Sequence, residues 1–566
     1  MRAPHRFLLA AFTVLSASCA PCRGQDGSAV PHAKGNPVLS SLTRHTGCHL
    51  PSAGRIRGLV LFVQTLNDDL PDENWPLGRF PSWGEQYARK LETYIADMSC
   101  GKQDLTLDIV PRLLYTNLSE QDYLQIHAGI GLAMRDLLTV LDDSIDFAPY
   151  DNWQSVGRPY RVIPGADGQV DLIIVVIRRI ANPLFFCYSG VSDLAFDGVL
   201  FVDDGQRQIY GGTGEFNDAG SSGLIVTRQP GSGSIIDEEW AFRLSIHELF
   251  HKIYGEGHPA ILYGGLGVLS QGSGGIALNS YERHVLGYIS FIDLPPAVDT
   301  VFTIRDYVTT GEAAALPIPE APSWYYTFEY RTRRSPYDTA PAEGVFIYRV
   351  YDPAGSTQKQ VKVISADGNF QWGLDAATGK LVRLFDDPIG GSSVYDQILI
   401  GGKPYYADGW WGEPRSAFTM ERRNFTIWHN PSPDFIRNRD TVRTGLFIAI
   451  ESITDSTASI RIRHHPPQIL DSETPAEQKT ALFAPYPNPV ISGGEVRIPL
   501  HLAREGKAVL HIFDTRGRRV DSPVDAFLPA GRHVVRWDAS RLAPGIYACV
   551  LHTSAGISHR MFVVEP

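Results

Sequence analysis

Apolar residues fall into two rhythms along the chain. Between residues 55 and 180, the runs "RIRGLVLFVQTL" (Arg55 to Leu66), "LTLDIVPRLLY" and "VDLIIVVIRRI" predict buried strands. The stretches "WGEQYARKLETYIADMSCGK" and "YLQIHAGIGLAMRDLLTVLDD" repeat their apolar positions every three or four residues and predict helices, the first stopped by Gly101. This alternation predicts an α/β layer structure reaching to about residue 294. Residues 201–235, rich in Gly, Ser and Asp, read as a long irregular excursion, which in a compact domain tends to be a functional loop. From about 296 to 464 the rhythm changes to short β-like runs such as "WYYTFEYRTR", "GVFIYRVYD" and "LFIAIESI", predicting a β-rich module. The polar, proline-containing stretch 464–481 reads as a linker, and the last 85 residues or so carry six or seven strand-like runs that predict a small β-sandwich.

Composition narrows the class. A chain of 566 residues with 43% hydrophobic content can bury several cores. Its net charge of −11, from 51 basic and 62 acidic residues with no basic block, prepares no surface for a phosphate backbone, so nucleic acid is not expected as a partner. The N-terminus places Arg2, His5 and Arg6 before the apolar run Phe7 to Leu15 and then small residues, the order of a secretory signal ending near Gly24. Cys19 raises a lipoprotein reading, but Ser16 stands where a lipid-attachment motif wants Leu. No later run reaches the roughly 18 apolar residues of a membrane helix, so the mature chain is expected to be exported without a transmembrane segment. Cys48, Cys100, Cys187 and Cys549 remain after the signal, too few for a disulfide framework, although Cys48 can be paired with Cys100 on paper. A thiol block of a metal by Cys48 is a further reading.

One segment carries chemistry. "SGSIIDEEWAFRLSIHELFHKIYG" predicts a single helix with Ser234 as N-cap and Gly255 as stop, and within it His247, Glu248 and His251 form HExxH. Residues four apart share a helix face, so the two imidazoles can reach one ion, and zinc is the expected metal. Glu248 sits beside the first ligand, placed to take a proton from a water and give it to a leaving amine. The bland reading is a core helix whose histidines are merely hydrogen-bonded. A catalytic zinc wants a third protein ligand. His258 is the first choice, because Gly255 and Gly257 let the chain turn back. Glu282, in the helix predicted at "NSYERHVLGY", is the runner-up, followed by His284, Asp293 and the aspartates of residues 201–235. Tyr254, Tyr263 and Tyr281 are candidates to hydrogen-bond an oxyanion or substrate. Calcium is a second candidate cofactor, from Asp-rich loops such as "DDG" at 203–205, without defensible ligand spacing.

Beyond the motif, "RIRGLVLFVQTLNDD", "YIADMSCGKQDLTLDIV", "VDLIIVVI", "GVLSQGSGGIALNSYERHVLGYI" and "YYTFEYRTRRSPYDTAPAEGVFIYRVYD" occur in order, and together they resemble the immune inhibitor A-like secreted zinc metallopeptidases over most of 55–464. The resemblance implies a zincin-like catalytic domain, His247 and His251 as zinc ligands, and Glu248 as catalytic base. The chain departs from that pattern at Phe250, where a small residue is usual, and at Tyr254 and Gly257, with Gly255 and His258 one residue late. It also has no methionine between Met134 and Met420. In the tail, "APYPNPVISGGEVRIPLHL", "VLHIFDTRGRRV", "GRHVVRWDASRLAPGIYACVL" and "FVVEP" resemble the C-terminal sorting domain of type IX secretion cargo. That resemblance implies engagement of outer-membrane secretion machinery and a location outside the cell or on its outer surface.

The expected architecture is α+β and multidomain. It comprises a signal peptide (1–24), a leader or short propeptide (25–54), a zincin-like α/β metallopeptidase domain (55–294), a β-rich module (295–464), a linker (465–481) and an immunoglobulin-like sorting domain (482–566). The expected activity is zinc-dependent hydrolysis of peptide bonds in extracellular polypeptides. The alternative is a catalytically inactive peptidase-like surface protein serving as a binding or structural module.

Overall fold

The computed structural model describes residues 47–464 and 480–565, apart from 157–160, 213–219, 256–265, 270–274, 296–298, 354–358, 409–413, 492–493 and the single positions 376, 428, 439, 484, 487, 489 and 541. The expected signal and most of the expected linker lie outside the described residues, as do His258 and Tyr263.

The first apolar run forms β1 (Gly54–Gln64), flanked in parallel by β2 (Gln103–Ile109) and β3 (Ile173–Ile177). Beyond them lie β4 (Gly190–Val191) and β5 (Gly223–Val226). β5 pairs in parallel with β3, while β4 pairs antiparallel with β5, giving the order β2-β1-β3-β5-β4. Because successive strand residues point to opposite faces, Val60, Phe62, Ile174, Val176 and Leu224 enter one core, and Leu59, Leu61, Ile173, Val175 and Ile225 enter another. The first face carries α1 (Gly84–Met98) and α3 (Glu238–Tyr254), and the second carries α2 (Ile130–Asp142). A three-layer α/β unit results, as the alternation of rhythms predicts.

Several boundaries differ from the sequence reading, each for a local reason. "LTLDIVPRLLY" is two strands, because β2 ends at Ile109 ahead of Pro111, which has no N–H to donate to a ladder, and Leu114–Tyr115 resumes beside β1. The stretch from Tyr123 to Asp143 is two helices, Glu120–Gln125 and α2, with His127 at φ 58° and Gly129 as N-cap between them. Residues 201–235 are not wholly irregular: a hairpin, Gly198–Val202 with Arg207–Gly212, precedes β5, which is part of the main sheet. The α3 helix starts at Glu238, not at Ser234. Ile236 N–H is taken by the Arg178 carbonyl at 3.0 Å, and Asp237 caps the helix by accepting Trp240 N–H at 2.8 Å.

Downstream, α4 (Ser280–Val285) leads into a sheet of β6 (Ala314–Pro317), β7 (Trp324–Arg331), β8 (Gly344–Tyr351) and β9 (Gln360–Ile364). One face of this sheet joins the α1–α3 core through Tyr325, Tyr348, Val350 and Val361. The other face joins a core built with Thr300–Arg305, Leu446–Ile453 and Thr457–His464. Under α4, Arg331 is wholly buried between Glu329 at 2.7 Å and Asp338 at 3.3 Å, and Ser280 N–H donates to Glu329.

The tail forms two packed, mainly antiparallel sheets around Leu482, Val496, Ile498, Leu510, Ile512 and Phe562, with Val490–Ile491 adding in parallel to Gly556–Glu565. One of them is extended by the hairpin Phe370–Leu374 with Leu381–Asp386, which reaches Gly531–Asp538 at the pair Asp386 and Val534. Arg536 Nε stands 2.6 Å from Asp386 at this junction. The protein is thus a multidomain α+β, β-rich fold. Among the described residues no helix is long and apolar enough to cross a membrane. No disulfide joins Cys48 to Cys100; the Cys100 sulfur instead lies 2.9 Å from Arg283 Nη2.

Candidate metal centre

α3 is held from behind so that its histidines face away from α1. Tyr87 OH and Ser245 Oγ are 2.5 Å apart, and the Tyr94 ring lies edge-on to Phe242 and Phe250. Lys90 pairs with Glu239 at 2.8 Å and covers the Phe242 ring. Phe242, Ile246, Leu249 and Ile253 are all buried. Phe250, where a small residue was the expectation of the resemblance, fills this core.

The structure brings His247 and His251 together. Their Nε2 atoms are 3.3 Å apart, with ring planes crossing at 83°. Two nitrogens each about 2.0–2.1 Å from one tetrahedral ion are separated by about 3.3 Å, so the pair fits two corners of a zinc shell. The other ring nitrogens face carbonyl oxygens: His247 Nδ1 is 2.7 Å from Val268 O, and His251 Nδ1 is 3.3 Å from Gly255 O. A carbonyl only accepts, so the short contact to Val268 O calls for the proton of a neutral His247 at Nδ1, which leaves its Nε2 lone pair free to ligate a metal. Burial also keeps the His247 pKa below the usual imidazole range, against the pull of the Val268 carbonyl. The neutral form is the one that ligates metal.

Glu248 completes the motif. It is buried, and its Oε2 has no hydrogen-bond partner among the described residues. Burial, with Asp193 adding to it and Lys252 opposing it, pushes the Glu248 carboxyl up to about 8. The group lies against the edge strand β4, where a Cβ added to Gly190 would stand 2.6 Å from Glu248 Oε1. Lys252, wholly buried, donates to the Ser192 carbonyl at 2.9 Å and the Ser221 carbonyl at 2.6 Å. Its own backbone carbonyl accepts His49 N–H at 2.9 Å and Leu50 N–H at 3.0 Å, which seats part of the expected leader on the end of α3.

The remaining candidates are placed as follows. Both oxygens of Glu282 accept backbone N–H groups, from Val268, Leu269 and Asn279. His284 stacks on Phe291 with ring centroids 4.2 Å apart, and Asp293 is exposed in the short strand Ile292–Asp293. Tyr254 and Tyr281 come together beside Tyr325 and Asp352, where burial raises all three phenol pKa values. Asp203 accepts Phe147 N–H at 3.1 Å and pairs with Arg207 at 3.1 Å. Among the described residues no group of three or more His, Cys, Asp or Glu is gathered for a metal.

Gly190, Asp193, Lys252 and Val268 escaped the sequence reading. A two-residue strand has no periodicity to detect, and a backbone carbonyl that accepts a hydrogen bond, such as that of Val268, has no sequence signature at all. Only Lys252 left a signal, as a charge set between buried helix positions.

No protein-family model and no curated relative matches the chain. Solved structures share only weak likeness with it. An uncharacterized protein from Bacillus anthracis is 13% identical, covering 14% of this chain and 76% of that one, with a TM-score of 0.12. PorZ, a surface component of the type-IX secretion system of Porphyromonas gingivalis, is 14% identical over 45% of this chain and 38% of its own, with a TM-score of 0.14. A fungal alcohol oxidase in complex with copper is 12% identical over 45% and 54%, with a TM-score of 0.12. Likeness at this level carries no argument about activity.

Proposed function

We propose that the chain is an exported zinc-dependent endopeptidase acting on extracellular polypeptides. The observation that carries this reading is the 3.3 Å separation of the two Nε2 atoms, with the unpartnered Glu248 Oε2 one residue from the first of them. His247 and His251 would hold the ion, and zinc there supplies a Lewis acid that polarises a carbonyl and acidifies water. Burial raises the Glu248 carboxyl in the metal-free chain, and a cation held by the neighbouring histidines would favour its ionised, proton-accepting form. Its Oε2 is open to accept a proton and to return it to a leaving amine.

The edge strand supports a peptide substrate. No strand pairs with the outer side of β4 among the described residues, so an extended chain can add to it by main-chain hydrogen bonds. Gly190 has no side chain between that edge and Glu248, which brings a substrate backbone laid there beside the base. The ordered tail motifs and their two-sheet packing support a sorting domain that passes the chain through outer-membrane secretion machinery to the cell exterior or outer surface.

The test is bound zinc and casein cleavage by the full chain, compared with Glu248→Gln. Zinc content is expected to be equal in the two, with cleavage falling about 10²–10⁴-fold in the variant. Equal cleavage would overturn the mechanism. Zinc-loaded wild type with no activity on a broad peptide library would favour the binding module instead.

A further inference from the structure

The capping box of α4 reaches beyond its own helix. Asn279 Oδ1 accepts Glu282 N–H at 2.9 Å, and Glu282 Oε2 accepts Asn279 N–H at 2.8 Å. A capping glutamate ordinarily ends its role there. In this chain the same carboxylate also accepts Val268 N–H at Oε2, 3.2 Å, and Leu269 N–H at Oε1, 3.0 Å. Val268 therefore faces Glu282 with its N–H and His247 with its carbonyl, 2.7 Å from Nδ1.

The fit between turn and carboxylate is close. A Cβ on Gly267 would stand 2.6 Å from Asn279 Nδ2 and 3.0 Å from Glu282 Oε1. Glu282 is wholly buried, and α4 is anchored independently of the turn by Ser280 N–H on Glu329 and by Arg283 Nη1 on the Tyr307 carbonyl at 3.3 Å. The carboxylate thus stands on a fixed base, and it binds the backbone of a turn whose Leu266, Val268 and Leu269 side chains are buried in the core.

We propose that Glu282 is a positioning residue: it fixes the 266–269 turn so that the Val268 carbonyl holds His247 as the Nδ1–H tautomer, with Nε2 directed at His251. This rests on the zinc reading of the histidine pair and deepens it, because it makes Glu282 a support for the site in place of a ligand. Backbone amides occupy three of the roughly four acceptor positions of this carboxylate. Partners that orient a metal-ligating histidine are typically worth about 10–100-fold in metal affinity.

Full-length wild type, Glu282→Gln and Gly267→Ala are compared in three measurements. These are zinc affinity by chelator competition, the cobalt(II) absorption spectrum, and the tautomer of His247 by ¹⁵N-histidine NMR of the metal-free chain. Gln offers one acceptor oxygen and an N–H₂ group that opposes an amide donor, whereas Ala at 267 crowds the carboxylate without removing it. Gly267→Ala carries the test if Glu282→Gln does not fold. Each folded variant is expected to bind zinc about 10–100-fold more weakly at unchanged stoichiometry. The cobalt bands should keep their positions, and His247 should lose its pure Nδ1–H form. Unchanged affinity and tautomer would overturn the proposal, and so would a changed cobalt coordination spectrum, which would make Glu282 a ligand. A wild type that takes up no metal would instead sink the zinc reading, with the tautomer measurement still deciding the role of Glu282.

Discussion

Lys252 Nζ donates to the Ser192 carbonyl at 2.9 Å, so the residue after the second histidine ties the motif helix to the edge strand. The same ammonium donates to Ser221 O at 2.6 Å, and both acceptors are buried. Lys252→Met fills the volume but removes both donors. An unpaired buried carbonyl costs about 1–3 kcal/mol, so with two of them the variant should be destabilised by about 2–6 kcal/mol and melt at a lower temperature than wild type. An unchanged melting midpoint would show that this tie contributes nothing.

Glu248 predicts an inverted pH dependence for the metal-free chain. Its folded pKa of about 8 lies above the ordinary carboxyl value of 4.5, so between those limits the native state binds more protons than the unfolded state. Stability from this group is therefore present below about pH 4.5 and is lost as pH rises toward 8. At one pKa unit per about 1.4 kcal/mol, chelated wild type should fall behind Glu248→Gln by several kcal/mol at pH 8. The gap should close near pH 4.5. Melting curves of both proteins in chelator across that range check the sign.

Gly190 is where the edge strand comes closest to the base. Gly190→Ala places a methyl 2.6 Å from the present position of Glu248 Oε1, so the carboxylate must move. A displacement near 1 Å at a reacting group costs about 10²-fold in turnover, so casein cleavage should drop by about that factor. Zinc content should be unchanged, because the atoms nearest the added methyl are those of the Glu248 side chain. Full activity in this variant would place the working base elsewhere.

Much of this fold was legible because it is local. The apolar runs at 55–66 and 170–180, the helical spacing of 83–98 and the HExxH helix each carry their own periodicity, and the structure keeps all four with shifted ends. The ends moved where a side chain or a single proline decides them, as at Asp237 and Pro111. What escaped was non-local. β5 is four residues in a Gly- and Ser-rich stretch and becomes an interior strand only through its pairing with β3 and β4. The hairpin that extends the tail's sheet joins residues about 150 positions apart through Asp386 and Arg536, and no pattern in either segment announces the other. At the site, the histidines and glutamate were read directly from their spacing. Their supports, the carbonyl of Val268 and the edge at Gly190, are backbone features brought close by the tertiary fold.

The most direct test of the account is zinc-edge X-ray absorption on the purified full chain, with His247→Ala and His251→Ala as controls. One zinc per chain is expected, with at least two imidazole nitrogens at about 2.0–2.1 Å and loss of stoichiometric zinc in either variant. A wild type without zinc, or with zinc that both variants retain, would contradict it.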